Sequence, residues 1–194
     1  MSRLLTLSLI VLLLLLNGIY SAQPGFAQEG ADTHTLYLPL VSHSSPAPTG
    51  FTNGNFEDYK TGWTVSSTNN RQVIGSTFGA GISAHAGRFG AWLGSYAAET
   101  SVIQQQVTVD AATPVLVYWQ WIVSTDQCDN DKASVLVNGA EVESYILCTT
   151  AQTNGWAQHT LNLSAYAGQS ITLAIQVVTD VGGRSDLYID DMGF

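Results

Sequence analysis

Two stretches of strict alternation decide most of what this chain can fold into. PVLVYWQWIVS (114–124) sets Val115, Val117, Trp119, Trp121 and Val123 on one side, and ITLAIQVVT (171–179) sets Ile171, Leu173, Ile175 and Val177 on one side. A two-residue period is that of a β-strand burying one face, and it is incompatible with a helix. A third stretch, ASVLVNGAEVESYIL (133–147), breaks at Asn138-Gly139. Both residues tolerate positive φ, so the pair predicts a tight hairpin turn. Shorter strands are expected at 63–67, 71–78, 89–95, 101–109, 156–163 and 186–192, with one helical turn in LSAYAG (163–168). About ten strands separated by Gly, Asn, Asp and Ser, with no helical period, predict an all-β fold, an antiparallel β-sandwich of jelly-roll type.

The alternating pattern is confined to residues 51–194, enough chain for one sandwich core. Ahead of it, MSRLLTLSLIVLLLLLNGIYSAQPGFAQ combines Arg3, the apolar run Leu4–Leu16 and the small-x-small site Gly25-Phe26-Ala27. This is the anatomy of a secretory signal peptide over 1–27, cut after Ala27; an uncleaved N-terminal anchor is the alternative. Residues 28–50 are a Ser/Pro-rich linker interrupted by the apolar TLYLPLV (35–41). That island reads equally as an edge strand or as an envelope-association signal. The expected location is extracellular or cell-surface.

Cleavage leaves five basic against fifteen acidic side chains, a net charge of −10. Such a chain repels nucleic acid and anionic membranes and suits neutral ligands or cations. Cys128 and Cys148 are the only cysteines. In an oxidising compartment the pair predicts a disulfide, and counting outward from Asn138-Gly139 sets the two nearly opposite each other across the hairpin. A two-Cys metal site is the weaker alternative, since neither has a sequence-near histidine.

The stretch NGNFEDYKTGW (53–63) resembles the start of galactose-binding-like jelly rolls, a superfamily rich in bacterial carbohydrate-binding modules. SDLYIDDMGF (185–194) resembles their closing strand, and GRFGAWLGS (87–95) an internal one. DNDKASVLVNGAEVESYILC (129–148) and GWAQHTLNLSAYAGQSITLAIQVVTD (155–180) are similar to the MAM-like sandwiches appended to secreted bacterial metallopeptidases. The resemblance implies that the first and last strands lie side by side. It also implies a structural calcium there, held by Glu57 with Asp190 or Asp191. Calcium takes 6–8 oxygen ligands, which carboxylates and loop carbonyls supply. Without it these acids form a solvated edge, and Phe56 and Trp63 are core plugs in either reading.

Asp126, Asp129 and Asp131 sit close together in STDQCDNDK. They lack the Gly turn and distal Glu of a calcium-binding EF-hand loop, so a solvated loop is the better reading and a second cation site the alternative. The resemblance implies that Asp129 or Asp131 bonds neighbouring backbone.

Sugars stack on exposed aromatic rings while polar side chains take their hydroxyls. The alternation assigns Trp119 and Trp121 to the core and leaves Tyr118 and Gln120 on an open ligand face, with Gln104 and Gln106 able to line the same sheet. Trp92 and Tyr96, with Tyr59 and Trp156, form a second candidate site at strand ends. Ordinary packing is the competing reading for all of them. The sequence has no G-x-S-x-G and no H-E-x-x-H, and Glu57-Asp58 point to opposite sides of an extended chain. His34 and His43 fall in the linker, His85 in a loop, and His159 on a strand. The expectation is a secreted, non-catalytic binding module for extracellular glycan or cell envelope. A structural accessory domain without a small ligand is second, and a hydrolase third.

Overall fold

A computed structural model of the chain describes residues 50–128 and 130–194; of Ala80 only the backbone is described. The signal-peptide and linker expectations, and Asp129, lie outside the described residues.

The described residues form ten strands: β1 (Thr64–Ser67), β2 (Ile74–Gly75), β3 (Gly90–Gly94), β4 (Thr100–Thr108), β5 (Val115–Ser124), β6 (Lys132–Val137), β7 (Ala140–Ile146), β8 (Ala157–Asn162), β9 (Ser170–Val178) and β10 (Ser185–Gly193). They make two five-stranded antiparallel sheets, ordered β1-β4-β9-β6-β7 and β2-β3-β10-β5-β8. The LSAYAG segment contains one 3-10 turn, Ser164–Tyr166. No helix among the described residues is long and apolar enough to cross a membrane.

The alternation in β9 places Ile171, Leu173, Ile175 and Val177 against the opposite sheet, all of them buried. Full burial of each such side chain contributes about 1.5–3 kcal/mol. The hairpin forms at Asn138 (φ 51°) and Gly139 (φ 83°), the positive-φ pair of a two-residue turn. A β-bulge between Val135 and Leu136 shifts the register, so Val137 faces Ala140 but Lys132 faces Ile146. Cys128 and Cys148 are bonded beyond the open end of this hairpin, with Sγ–Sγ 2.05 Å.

In β5 the structure reverses the sequence expectation. Leu116, Tyr118, Gln120, Ile122 and Ser124 face the interior, and Trp119 and Trp121 are half-buried on the outside. Hydropathy alone favours the all-apolar face as the inner one. Two facts of packing override it. Tyr145 lies between the sheets, donates to Gln120 Oε1 at 2.8 Å, and sits 3.4 Å from the Tyr118 hydroxyl. The buried polar atoms are therefore partnered, which removes most of the cost of turning them inward. The outer face also carries its own apolar layer: Phe78, Ile82 and Tyr188 are buried there, with Trp92, Trp121, Val123 and Trp156 packed against them.

The first and last strands are not neighbours, as β1 and β10 belong to different sheets. The segment ahead of β1 meets the end of β10 instead. Met192 N donates to Gly54 O at 2.9 Å, and Phe51 stacks between Trp63 and Phe194, at 5.9 and 5.3 Å between ring centroids. Phe56 and Trp63 plug the core, 5.0 Å apart.

The disulfide closes a loop with a sequence separation of 20. Replacing both cysteines by serine is expected to lower stability by about 3 kcal/mol in the chain-entropy model. Urea unfolding of the two proteins measures it, and equal midpoints would show that the bond adds nothing.

Candidate functional site

The residues expected to bind ligand or calcium fall, among the described residues, at or beside an arginine–aromatic cleft, a carboxylate-clamped loop and a groove on the opposite sheet, apart from Tyr118 and Gln120, which are buried between the sheets.

The cleft opens at the β2–β3 edge of its sheet. It has a volume of about 560 Å³ and is lined by Arg71, Gln72, Ser76, Thr77, Trp92, Ser95, Tyr96 and Arg184, among others. Ligand pockets span roughly 300–1,000 Å³. Trp92 is set by β3, and its indole N–H donates to Asp186 Oδ1 at 2.7 Å. Its ring stacks on Tyr188 at 5.6 Å, while the Arg71 guanidinium lies over it at 4.2 Å and over Tyr96 at 5.0 Å. Arg71 also donates to the carbonyl of Gly94. Arg184 pairs with Asp186, Nε to Oδ2, at 2.8 Å. Arg71 has no ion-pair partner among the described residues. Burial holds its pKa below the ordinary value, with Asp186 pulling the other way, and a guanidinium stays charged regardless. Tyr96 is 55 % exposed and offers an open ring at the rim. The cleft therefore combines an unpaired cation, an accessible aromatic and several hydroxyl and amide groups. Of the four aromatics grouped at strand ends, Trp92 and Tyr96 line this cleft, while Tyr59 lies against Phe89 and Trp156 against His85 and Trp121. Arg71 and Arg184 were missed, because they lie 113 positions apart in the chain and neither falls in a recognisable motif.

The carboxylate clamp holds loop 85–89. Glu57 Oε1 accepts from Arg88 N and Phe89 N at 2.7 and 2.8 Å. Gly87 (φ 64°) lets this happen, since a Cβ there would collide with the Glu57 carboxylate. Asp190 Oδ2 accepts from His85 N at 2.9 Å and Ala86 N at 3.2 Å, and its Oδ1 from Asp191 N at 2.8 Å. Asp191 Oδ2 lies 2.6 Å from His85 Nδ1, and the His85 ring stacks on Trp119 at 4.0 Å. Burial, and then the charge of Asp191, pushes the Asp190 carboxyl up to about 8. Glu57, Asp190 and Asp191 are thus near one loop, but they do not gather ligand atoms within 4.8 Å of one another. The one set that does among the described residues is Asp126, Asp131 and Asp180. Backbone N–H groups already satisfy Glu57 Oε1 and both Asp190 oxygens. Asp191 Oδ1 is left without a partner. As placed, the three acids do not converge on one point and work as a loop clamp.

The groove lies on the outer face of the β1-β4-β9-β6-β7 sheet. It encloses about 320 Å³ between Thr64, Ser66, Gln104, Thr172 and Gln176, with no aromatic in its lining. Gln106 is exposed on the same face, outside the groove lining. Tyr118 and Gln120 belong to the other sheet and are 0 % and 9 % exposed. They cannot contact a ligand together with Gln104, which corrects the expected face. The Asp expected to bond backbone is Asp131, whose Oδ1 accepts from Asp180 N at 2.8 Å.

No family model matches the chain. Two curated sequences, the pre-pro-metalloprotease PrtV of Vibrio cholerae serotype O1 strains M66-2 and ATCC 39315, are each 34% identical over 77 residues. The match takes in 33% of this chain and only 8% of the protease. Among solved structures, a carbohydrate-binding module of the β-sandwich superfamily aligns with a TM-score of 0.51 and 23% identity, over 77% of this chain and 63% of that one. The K2 cleaved adhesin domain of Lys-gingipain aligns with a TM-score of 0.51 and 15% identity, over 71% and 95% respectively. The fold is therefore the β-sandwich shared by carbohydrate-binding modules and adhesin domains.

Asp190→Ala strips acceptors from three backbone N–H groups, and each buried donor left unsatisfied costs about 1–3 kcal/mol. The variant is expected to lose at least about 2 kcal/mol, and Asp190→Asn less, because its carbonyl oxygen still accepts. Urea denaturation of both checks this; two equal, small losses would mean that the clamp carries no load.

Proposed function

We propose that this chain is a non-catalytic binding module whose ligand is an extracellular glycan carrying carboxylate groups, held in the Arg71–Trp92–Tyr96 cleft. The observation that carries this reading is Arg71, a charged, half-buried guanidinium with no ion-pair partner among the described residues, beside the open ring of Tyr96. A sugar ring stacks on Tyr96. Its carboxylate meets the fork of Arg71, which matches a carboxylate in shape and charge. Gln72, Ser76, Thr77 and Ser95 line the same cleft, and sugar hydroxyls are the groups they would take. The carbohydrate-binding neighbour supports a glycan as the ligand class by shared fold only.

Net charge speaks for a neutral ligand, but the local field decides at contact. At physiological salt the Debye length is about 8 Å, so distant acids are largely screened while Arg71 is not. Asp186 beneath the cleft is committed to Arg184 and to Trp92 Nε1, which leaves it unsuited to acid–base catalysis. The reading without a small ligand, an accessory domain beside a peptidase, draws on the local match to the Vibrio cholerae protease. Stabilisation by calcium is a separate proposal, taken up below at a different set of residues.

Affinity electrophoresis of the purified chain in gels containing a soluble polyuronate or a neutral polysaccharide tests the proposal. The polyuronate is expected to retard it, less so at higher salt. Arg71→Ala and Tyr96→Ala are each expected to weaken binding about tenfold or more, as loss of a contact worth about 1.4 kcal/mol would. Gln104→Ala is expected to bind as the parent does. Equal mobility in every gel, or retardation that survives both cleft variants, would contradict it.

A further inference from the structure

We infer that Asp126, Asp131 and Asp180 form a binding site for a hard divalent cation, calcium by its chemistry, at the disulfide-pinned end of the sandwich. The three carboxylates each offer an oxygen, and these oxygens lie within 4.8 Å of one another. Asp126 and Asp131 stand on the loop between β5 and β6, which Cys128 ties to Cys148; Asp180 stands just after β9. The site is thus assembled from two loops, one of them covalently fixed.

The burial of these acids distinguishes the cluster from a solvated acidic loop. Asp131 is 0 % exposed and Asp126 8 %, while Asp180 is half-buried. Backbone N–H groups satisfy part of the set: Gln127 N and Gly183 N donate to Asp126 Oδ1, and Asp180 N donates to Asp131 Oδ1. Asn130 Nδ2 donates to Asp180 Oδ2, and Gly182 N to Asp180 Oδ1. One oxygen on each buried acid, Asp126 Oδ2 and Asp131 Oδ2, is left without any partner. The Ser185 hydroxyl, which lies near Asp131, donates instead to Leu147 O and pairs with Ser124. No Lys, Arg or His makes an ion pair with any of the three among the described residues.

Unpartnered buried carboxylate oxygens are costly, and costlier still beside two more acids. Burial, with the charges of Asp126 and Asp180 adding to it, raises the pKa of Asp131. A bound cation supplies what the chain does not. An all-oxygen donor set excludes the softer, thiolate-preferring metals. Oxygens on opposite sides of a calcium ion, at 2.3–2.6 Å each, stand about 5 Å apart, which accommodates the observed spread. Gly182 and Gly183 pack closely on the cluster, since a Cβ on Gly182 would press against Asp180 Oδ1 and one on Gly183 against the Asp126 backbone.

The test is thermal melting of the full chain, freed of metal by chelator and titrated with calcium chloride or with magnesium chloride. Calcium is expected to raise the melting temperature more than magnesium does. Asp180→Asn, at a half-exposed position, is expected to need at least tenfold more calcium for the same rise. Asp131→Asn is expected to abolish the rise and yet to melt no lower than the metal-free parent, because it removes a buried charge and keeps an acceptor for Asp180 N. Glu57→Gln is expected to respond as the parent does. A parent that does not respond to about 10 mM calcium, beyond the affinity range of extracellular modules, would overturn the inference. A response that survives Asp180→Asn and Asp131→Asn, or one that only Glu57→Gln removes, would overturn it as well.

Discussion

Everything distinctive in this molecule follows from the burial of β10 on both faces. All nine of its residues, Ser185 to Gly193, are buried. Its inner face joins the sandwich core through Leu187 and Ile189, and its outer face is covered by Phe78, Trp92 and the aromatic layer around Tyr188. An antiparallel strand usually has one wet face. A doubly buried one has no solvent to satisfy its polar side chains, and β10 carries Ser185, Asp186, Asp190 and Asp191. Each of these needs a partner, and those partners organise the functional surface.

Asp186 takes Arg184 and the Trp92 indole, which fixes the floor of the cleft. Asp190 and Asp191 take backbone N–H groups and His85, which fixes loop 85–89. Ser185 bonds Ser124 and Leu147 O beside the Asp131 cluster. The buried acids thus use different counter-groups: a guanidinium, the backbone and, at Glu99, the Thr68 hydroxyl and both nitrogens of Asn69. Glu99 Oε1 and Asp191 Oδ1 are left without a partner too, but Asp126 and Asp131 are the pair whose unpartnered oxygens stand within one cluster of three acids. A cation is the partner that their all-oxygen surroundings accept.

The architecture was legible in the sequence because it rests on local rules. The two-residue period in β9, the Asn138-Gly139 turn and the Ser164–Tyr166 turn are readable from neighbouring residues, and each is present. The orientation of β5 was not legible. Both faces of that strand alternate, and the choice depends on Tyr145, which comes from the other sheet to meet Tyr118 and Gln120. The candidate site was legible in part. Trp92 and Tyr96 stand out as aromatics near a strand end, but Arg71 enters the cleft through tertiary packing. The acidic triad was half visible for the same reason. Asp126 and Asp131 are sequence neighbours, and Asp180 reaches them only through the β6–β9 pairing.

The central claim, that the ligand enters the Arg71–Tyr96 cleft and not another face, is tested most directly by nuclear magnetic resonance. The five tryptophan indole N–H groups report on separate places in the fold. Trp92 lies in the cleft, Trp119 and Trp156 beside His85, Trp121 against Trp156, and Trp63 in the core. On titration of the labelled chain with a soluble uronic-acid oligosaccharide, the Trp92 signal should move together with the Tyr96 backbone amide, while Trp63 and Trp119 stay in place. Movement of Trp119 and Trp156 with Trp92 unchanged would place the ligand around His85 and contradict the account.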